Sequence, residues 1–234
     1  MTKICFEEES NLMTWSVLCD FDGTISTKDV TDTLLEAFGK PGWREAEDEW
    51  LAGRIGSRVC MQRQIACLDA SKEELDEAID AIGVDEAFAA FVDAVVARDW
   101  ELLIVSDGLD YAIKRILQRH RLPALPFYAN RLVQVGARSW QLDSPYADPA
   151  CRSASGMCKC AFAHRARAAG GKVLMIGDGR SDFCVAGDAD WVFAKGRLMT
   201  HCFEKSLPHV PISGFADALR IIPAAAEHEF ALAV

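Results

Sequence analysis

The sequence predicts an α/β protein, a parallel sheet with a helical insertion after its first strand. Three observations carry that expectation. Short apolar runs at 15–21, 100–106 and 173–176 each stop at a polar group: Asp20-Phe-Asp22, Ser106-Asp107-Gly108 and Gly177-Asp178-Gly179. Helical spacing separates the later runs, as strand–helix alternation in a parallel sheet requires. Between the first two runs, residues 29–98 carry helical spacing and no strand signal.

In chain order, the run 15–21 predicts a buried strand, apolar and closed by Asp and Gly. Helices are expected at 29–38, 43–51, 58–68 and 71–82, with Gly39-Lys-Pro41-Gly42, Gly53 and Gly56 between them. Ser71-Lys-Glu-Glu74 reads as a capping box. A further helix is expected over 85–98, with Ala87, Phe88, Phe91, Val92, Val95 and Val96 on its buried side. A strand at 100–106 leads into a helix over 109–119, and 127–142 reads as a hairpin turning near Gly136. A helix over 157–169 ends at Gly170-Gly171, and strands follow at 173–176 and 188–194.

Composition limits the function classes. The chain has 234 residues, 50% hydrophobic and 26% charged, which suits one large domain or a domain with a substantial insert. A formal charge of −10 argues against a nucleic-acid or membrane-surface partner, and no apolar stretch reaches transmembrane length. The start, MTKICFEEES, is acidic where a signal peptide is apolar, so the nine cysteines read as reduced thiols in a cytoplasmic protein. Cys151, Cys158, Cys160 and His164 suggest zinc, but paired CxxC spacing is missing, and ordinary thiols are the expected reading.

Functional groups of such sheets gather beyond the carboxyl ends of the strands. If the three strands are neighbours, Asp20, Asp22, Ser106, Lys159, Asp178 and Asp182 converge there. Clustered carboxylates suit Mg2+, which takes one or two of them together with a substrate phosphate. Asp20 can then attack phosphorus, while Asp22, two residues along, moves the proton of the leaving alcohol and of the hydrolytic water. Taken singly, each residue has a plainer reading. Ser106 alone reads as a helix N-cap, Lys159 as a surface lysine, and Asp182 as a first-turn acid. In the insert, Trp43, Arg44, Glu49, Trp50, Arg54 and Arg63 are candidate substrate contacts, with helix packing as the expected role of each.

DFDGT (20–24), the strand ending in Ser106, Lys159, and GDGRSD (177–182) resemble, in order, the four motifs of the haloacid dehalogenase-like phosphatases, over about residues 15–195. The resemblance implies a Rossmann-like core at 14–28 and 99–223, a helical cap at 29–98, and a C-terminal tail at 224–234. It also implies Mg2+ and a phosphoaspartyl intermediate. Asp20 would be nucleophile and metal ligand; Asp22 would be the general acid/base and a metal ligand through its carbonyl. Thr24, Ser106 and Lys159 would hold the phosphate, with Asp178 on the metal and Asp182 in its outer shell. The insert is similar to the small cap of the phosphoserine phosphatase branch, although Ser181 stands where many of that branch have Asn. Residues 193–215 resemble the methionine-salvage methylthio-ketopentenyl phosphate phosphatases. MCK (157–159) with GDGRSDFC (177–184) resembles the phosphoethanolamine/phosphocholine phosphatases. The expected function is hydrolysis of a small phosphorylated metabolite under a closing cap. Phosphoserine, phosphoethanolamine and phosphocholine are alternative substrates, and a phosphoaspartate switch or a binding-only member of the fold are the non-enzymatic alternatives.

Overall fold

The computed structural model describes residues 14–122 and 124–227; the N-terminal MTKICFEEES and the last residues of the expected tail lie outside them. The first strand is β1 (Trp15–Cys19). Five helices follow: α1 (Val30–Phe38), α2 (Trp43–Leu51), α3 (Ser57–Ala66), α4 (Lys72–Asp80) and α5 (Phe88–Val96). The chain continues through β2 (Glu101–Leu109), α6 (Asp110–Arg119), β3 (Phe127–Gln134), β4 (Trp140–Asp143) and α7 (Lys159–Ala168). It closes with β5 (Lys172–Gly177), a 3-10 turn at Arg180–Asp182, α8 (Phe183–Ala186), β6 (Trp191–Ala194), α9 (Gly196–Glu204), β7 (His209–Pro211) and α10 (Phe215–Glu227).

The strands form one sheet in the order β4-β3-β2-β1-β5-β6-β7, parallel throughout except for β4. β1 is central, with Val17, Leu18 and Cys19 fully buried. Because side chains alternate across a strand, Val17 and Cys19 join one apolar layer with Ile104, Ile176 and Phe193, while Leu18 joins Val105, Met175 and Val192 in the other. Cys19 pairs with both Ile104 and Ile176. This register brings Asp20, Ser106 and Asp178 out at the same end of the sheet.

Several boundaries differ from the sequence reading, each for a local reason. β2 does not stop at Ser106; it runs through Leu109, with its register against β3 shifting between Val105 and Leu109. Such a bulge re-aims a side chain without ending the strand. The helix expected from 85 starts at Phe88, because the Asp85 carboxylate is occupied by two amides, Ala87 N–H at 2.9 Å and Phe215 N–H at 3.1 Å. Val96, expected on its buried side, is the helix's last residue and is exposed. α9, β7 and α10 were not anticipated, and α10 carries the chain through 224–227, the first residues of the expected tail.

The insert also divides differently. The chain pairs with itself at its root, where Ser26 bridges Val84, Thr27 N–H donates to Gly83 and Asp85 N–H to Ile25. α5, inside the expected 29–98 cap by number, packs instead on β2 and α10, with Phe88 and Phe91 against the Phe215 ring at 4.8 and 5.1 Å. Helices α1–α4 are the part that stands over the strand ends. The β3–β4 hairpin props them: Trp140 Nε1 donates to the Ala70 carbonyl at 2.8 Å, and Arg138 pairs with Asp69 at 2.7 Å.

On the other side Arg115 of α6 grips α4. Its Nε and Nη2 meet the two Asp80 oxygens at 2.6 and 2.7 Å, and Nη1 lies 3.1 Å from Asp76. The guanidinium hydrogen bond holds the Asp80 carboxyl below its usual range. Stability from a carboxylate lowered in the folded state is full above the unfolded value of about 3.9 and is lost as pH falls through the folded value. Arg115→Ala should therefore lower the melting temperature by roughly 2–4 °C at pH 7. In thermal melts from pH 7 to pH 3 the gap to the unsubstituted chain should close below about pH 4; a constant gap would show that the pair's charge contributes nothing.

Candidate active site

The end of β1 is shaped by Gly23, whose φ of +68° lies in the left-handed region; a Cβ there would sit 2.7 Å from Asp178 Oδ2. Both facts require glycine. The turn sends Asp20 and Asp22 to opposite partners. Asp20 Oδ1 accepts the Phe21 N–H at 2.8 Å and lies 2.8 Å from Lys159 Nζ. Asp22 Oδ1 accepts the Val30 N–H at 2.9 Å, and Oδ2 accepts the Ser106 hydroxyl at 3.2 Å.

Lys159 opens α7 and is 3% exposed, which removes the surface-lysine reading. Its ammonium lies 2.5 Å from Asp182 Oδ1 and 3.3 Å from Ser181 Oγ, besides the contact with Asp20. Burial works against that charge, but the Asp182 and Asp20 carboxylates outweigh it and hold the lysine protonated well above its usual range. Asp182 is fully buried and engaged at both oxygens, since Oδ2 accepts the Asp178 and Gly179 amides at 3.1 and 3.2 Å. Its amide-capping role and its pairing with Lys159 coexist.

Asp20, Asp178 and Asp182 each bring an oxygen within 4.8 Å of the others, the one such group of potential metal ligands among the described residues. Three carboxylates face one ammonium, so burial, followed by Asp182, pushes the Asp20 carboxyl well up. A divalent cation relieves that excess negative charge. One oxygen each of Asp20 and Asp178 accepts no hydrogen bond from the described residues, and hard carboxylate oxygens are the donors Mg2+ takes. The residues fit the ion, Asp20 and Asp178 each with an oxygen to give, whereas both Asp182 oxygens are already engaged. Cys151, Cys158, Cys160 and His164 form no such group; His164 lies 3.3 Å from Asp188 instead.

Ser106 and Gly108 lie on the bulge of β2. The Ser106 hydroxyl accepts the Gly108 N–H at 3.0 Å while donating to Asp22, and α6 begins at Asp110 without using it as a cap. A Cβ on Gly108 would fall 2.0 Å from Asp22 Oδ2, so the strand passes this close only as glycine. Burial raises Asp22 to about 6, opposed by its bonds to Val30 and Ser106. Thr24 points elsewhere than expected: its hydroxyl, 1% exposed, donates to Asp178 Oδ1 at 2.9 Å and so orients that carboxylate.

Asp20, Asp22, Gly108 and Asp178 line the floor of a cavity of about 710 Å3, roofed by α1–α3, with Ser106, Lys159 and Asp182 buried behind them. Of the cap residues singled out in the sequence, Trp43, Arg44 and Trp50 line it, whereas Glu49 and Arg63 pair with each other at 2.8 Å on the outside. Arg54 is exposed and not part of the lining. Residues without a sequence signal join them: Asp29, Glu47, Met61, Gln64, Asp107 and Arg197. Lys195, at the end of β6, donates to the Gly23 carbonyl at 2.9 Å. It follows the same strand-end logic as Asp20 and Asp178 and was open to the same reading.

The model of the haloacid dehalogenase-like hydrolases matches residues 17–187. Two curated relatives carry the name 2-hydroxy-3-keto-5-methylthiopentenyl-1-phosphate phosphatase. The protein of Brevibacillus brevis is 30% identical over 88% of this chain and 94% of its own, and that of an Exiguobacterium species is 28% identical over 88% and 95%. Among solved structures, a phosphoserine phosphatase described as a phospho-aspartyl intermediate analogue superposes with a TM-score of 0.68 at 18% identity, over 89% of this chain and 98% of its own. That likeness extends the common fold across the cap. With three strand-end motifs and the lysine that opens α7 gathered at one end of the sheet, and the family model matching residues 17–187, the chain belongs to the haloacid dehalogenase-like hydrolase family.

Proposed function

We propose that the chain is a Mg2+-dependent phosphomonoesterase working through a phosphoaspartyl intermediate on Asp20. The observation that carries this reading is the division of labour between two carboxylates two residues apart. Asp20 stands beside Lys159 and the other acids, while Asp22 faces Ser106 with its proton held to about pH 6. An Asp20 oxygen attacks phosphorus and the ester P–O bond breaks, with the Asp22 proton passing to the departing alkoxide. Asp22, now ionised, takes a proton from the water that attacks the phosphoaspartate, which frees phosphate and restores both groups. Ser106 and Lys159 hold the phosphoryl oxygens, and Thr24 acts through Asp178. Asp20, Asp178 and the Asp22 carbonyl would hold Mg2+, which when bound would supply positive charge against the carboxylates and the phosphate. Helices α1–α4 act as the cap that keeps bulk water out.

The substrate is a small phosphorylated metabolite. The relatives' names favour the methylthio-ketopentenyl phosphate of methionine salvage, and Trp43, Cys60 and Met61 offer a soft apolar wall for a thioether chain. A second reading has its own observation: Asp29, Asp32, Glu36 and Glu47 line the same cavity and favour a phosphorylated amine such as phosphoethanolamine or phosphocholine, or phosphoserine. The cysteines of the described residues are all unpaired, which suits a reducing, cytoplasmic setting. No described helix is long and apolar enough to cross a membrane.

Asp20→Asn should abolish turnover. Asp22→Asn should slow hydrolysis of an alkyl phosphate by about 10²–10⁴-fold, yet keep a first-turnover burst from p-nitrophenyl phosphate, because p-nitrophenolate leaves without a proton. Stopped-flow absorbance reads the burst, and an unchanged steady rate in either variant would sink the roles given to these aspartates. Lys159→Met leaves Asp20 and Asp182 facing each other, so without metal the melting temperature should fall by roughly 10 °C. Adding Mg2+ should recover more of that loss than it adds to the unsubstituted chain, and equal increments would place the ion elsewhere. A panel of the methionine-salvage phosphate, phosphoserine, phosphoethanolamine and phosphocholine decides the substrate: highest kcat/KM on the first supports the thioether reading, and highest on an amine reverses it.

A further inference from the structure

Asp107 is an acid the mechanism does not use, 8% exposed, next in sequence to Ser106 and on the same bulge of β2. Its carboxylate gathers donors from three distant segments. Oδ2 accepts the hydroxyl of Ser57, the first residue of cap helix α3, at 2.5 Å. Oδ1 accepts Asn130 Nδ2 of β3 at 3.1 Å and the backbone N–H of Met157, two residues before Lys159, at 2.9 Å. Asn130 also donates to the Asp107 carbonyl at 2.6 Å, which pins the main chain beside Ser106. Ser57 and Asn130 are themselves 6% and 1% exposed.

The cap rests on the core at this point. Arg58 N–H donates to the Ala154 carbonyl at 3.2 Å, and a Cβ on Gly56 would lie 2.5 Å from that of Ala154. The Ser57–Asp107 bond is thus a side-chain link from the cap to the strand that carries Ser106 and to the segment that leads into Lys159. Hydrogen bonds to a buried charge are the strong kind, and a buried acceptor left without its donor is costly. A cap that lifts must break this bond, and a cap that seats must make it.

We propose that Asp107 is a positioning residue that couples seating of the cap to the placement of Ser106 and Lys159, with Ser57 as the cap's half of the coupling. This rests on the phosphatase reading, because Ser106 and Lys159 are the groups placed. In an open cap, Asp107 keeps Asn130 and Met157 but loses Ser57, and its carboxylate becomes free to turn. The main chain beside Ser106 then loses one of its restraints. Binding energy from a substrate held by the cap is in this way spent on ordering the groups that meet the phosphate.

The test compares Ser57→Ala, Ser57→Thr, Asp107→Asn and the double variant Ser57→Ala/Asp107→Asn, with p-nitrophenyl phosphate as probe. Ser57→Ala should lower kcat about ten-fold or more with a melting temperature within a few degrees of the unsubstituted chain, and Ser57→Thr, which restores the hydroxyl, should regain most of it. The double variant should be no slower than Asp107→Asn alone, because both remove one link. Multiplying effects, a loss under two-fold in Ser57→Ala, or a change confined to KM in Asp107→Asn would overturn the coupling and make Asp107 an independent support or a substrate contact. If Asp107→Asn does not fold, the alanine–threonine pair at Ser57 decides alone. Hydrogen exchange gives a reading independent of turnover. In Ser57→Ala, amides of 57–60 and 157–161 should exchange faster together, and acceleration limited to 57–60 would refute the link. A chain inert toward every phosphate but showing the joint exchange would instead count against the phosphatase reading alone.

Discussion

A single buried ammonium organises the catalytic end of this protein. Lys159 sits between Asp20 and Asp182, at 2.8 and 2.5 Å, in a place water scarcely reaches. Carboxylates from the end of β1 and from the turn that follows β5 cannot share such a space without a cation, since each unpaired buried charge costs several kcal/mol. The lysine comes from a third element, the start of α7, so its charge ties two strands and a helix together. Asp182 then spends its remaining oxygen on the two amides after β5, which fixes where Asp178 stands. The geometry of the acids follows from that one pairing.

The sheet supplies the precision. Parallel strands in register bring out their polar ends level with one another, and the bulge on β2 lets Ser106 face Asp22 while Gly108 passes within touching distance of it. Each glycine that matters here admits a carboxylate: Gly23 makes room for Asp178 and Gly108 for Asp22. The acids that look crowded in the sequence are crowded in space as well, and the backbone has been thinned around them.

Much of this was legible in the residues. Apolar runs that stop at Asp, Ser or Gly announced the strands, and the order of those stops identified the family and the groups that converge. What stayed hidden depends on long-range contact. Asp107 stands in the sequence only as part of a polar strand stop, because its partners Ser57, Asn130 and Met157 lie 50, 23 and 50 residues away. Thr24 belongs to the most recognisable motif, yet nothing local says that its hydroxyl is taken by Asp178, 154 residues on. α5 shows the limit of periodicity: an apolar helical face reveals that a helix is buried but not in which layer, and this one packs on the sheet and α10 rather than with α1–α4. The continuation of β2 past Ser106 was masked because Ser-Asp-Gly is as good a strand terminator as it is a bulge.

The paired root of the insert has an architectural consequence. Entry at Ser26–Thr27 and exit at Gly83–Asp85 lie side by side and are bonded to each other. From the sheet's side, everything between them is a closed loop whose two ends already meet, so its length and content place little strain on the strands below. The roof therefore bears on the catalytic floor through side chains, chiefly Ser57 on Asp107 and the Val30 amide on Asp22, and not through tension in the chain. A different set of helices that keeps those two contacts can be joined at this root, which makes the junction the natural graft point for giving the same chemistry a different leaving group.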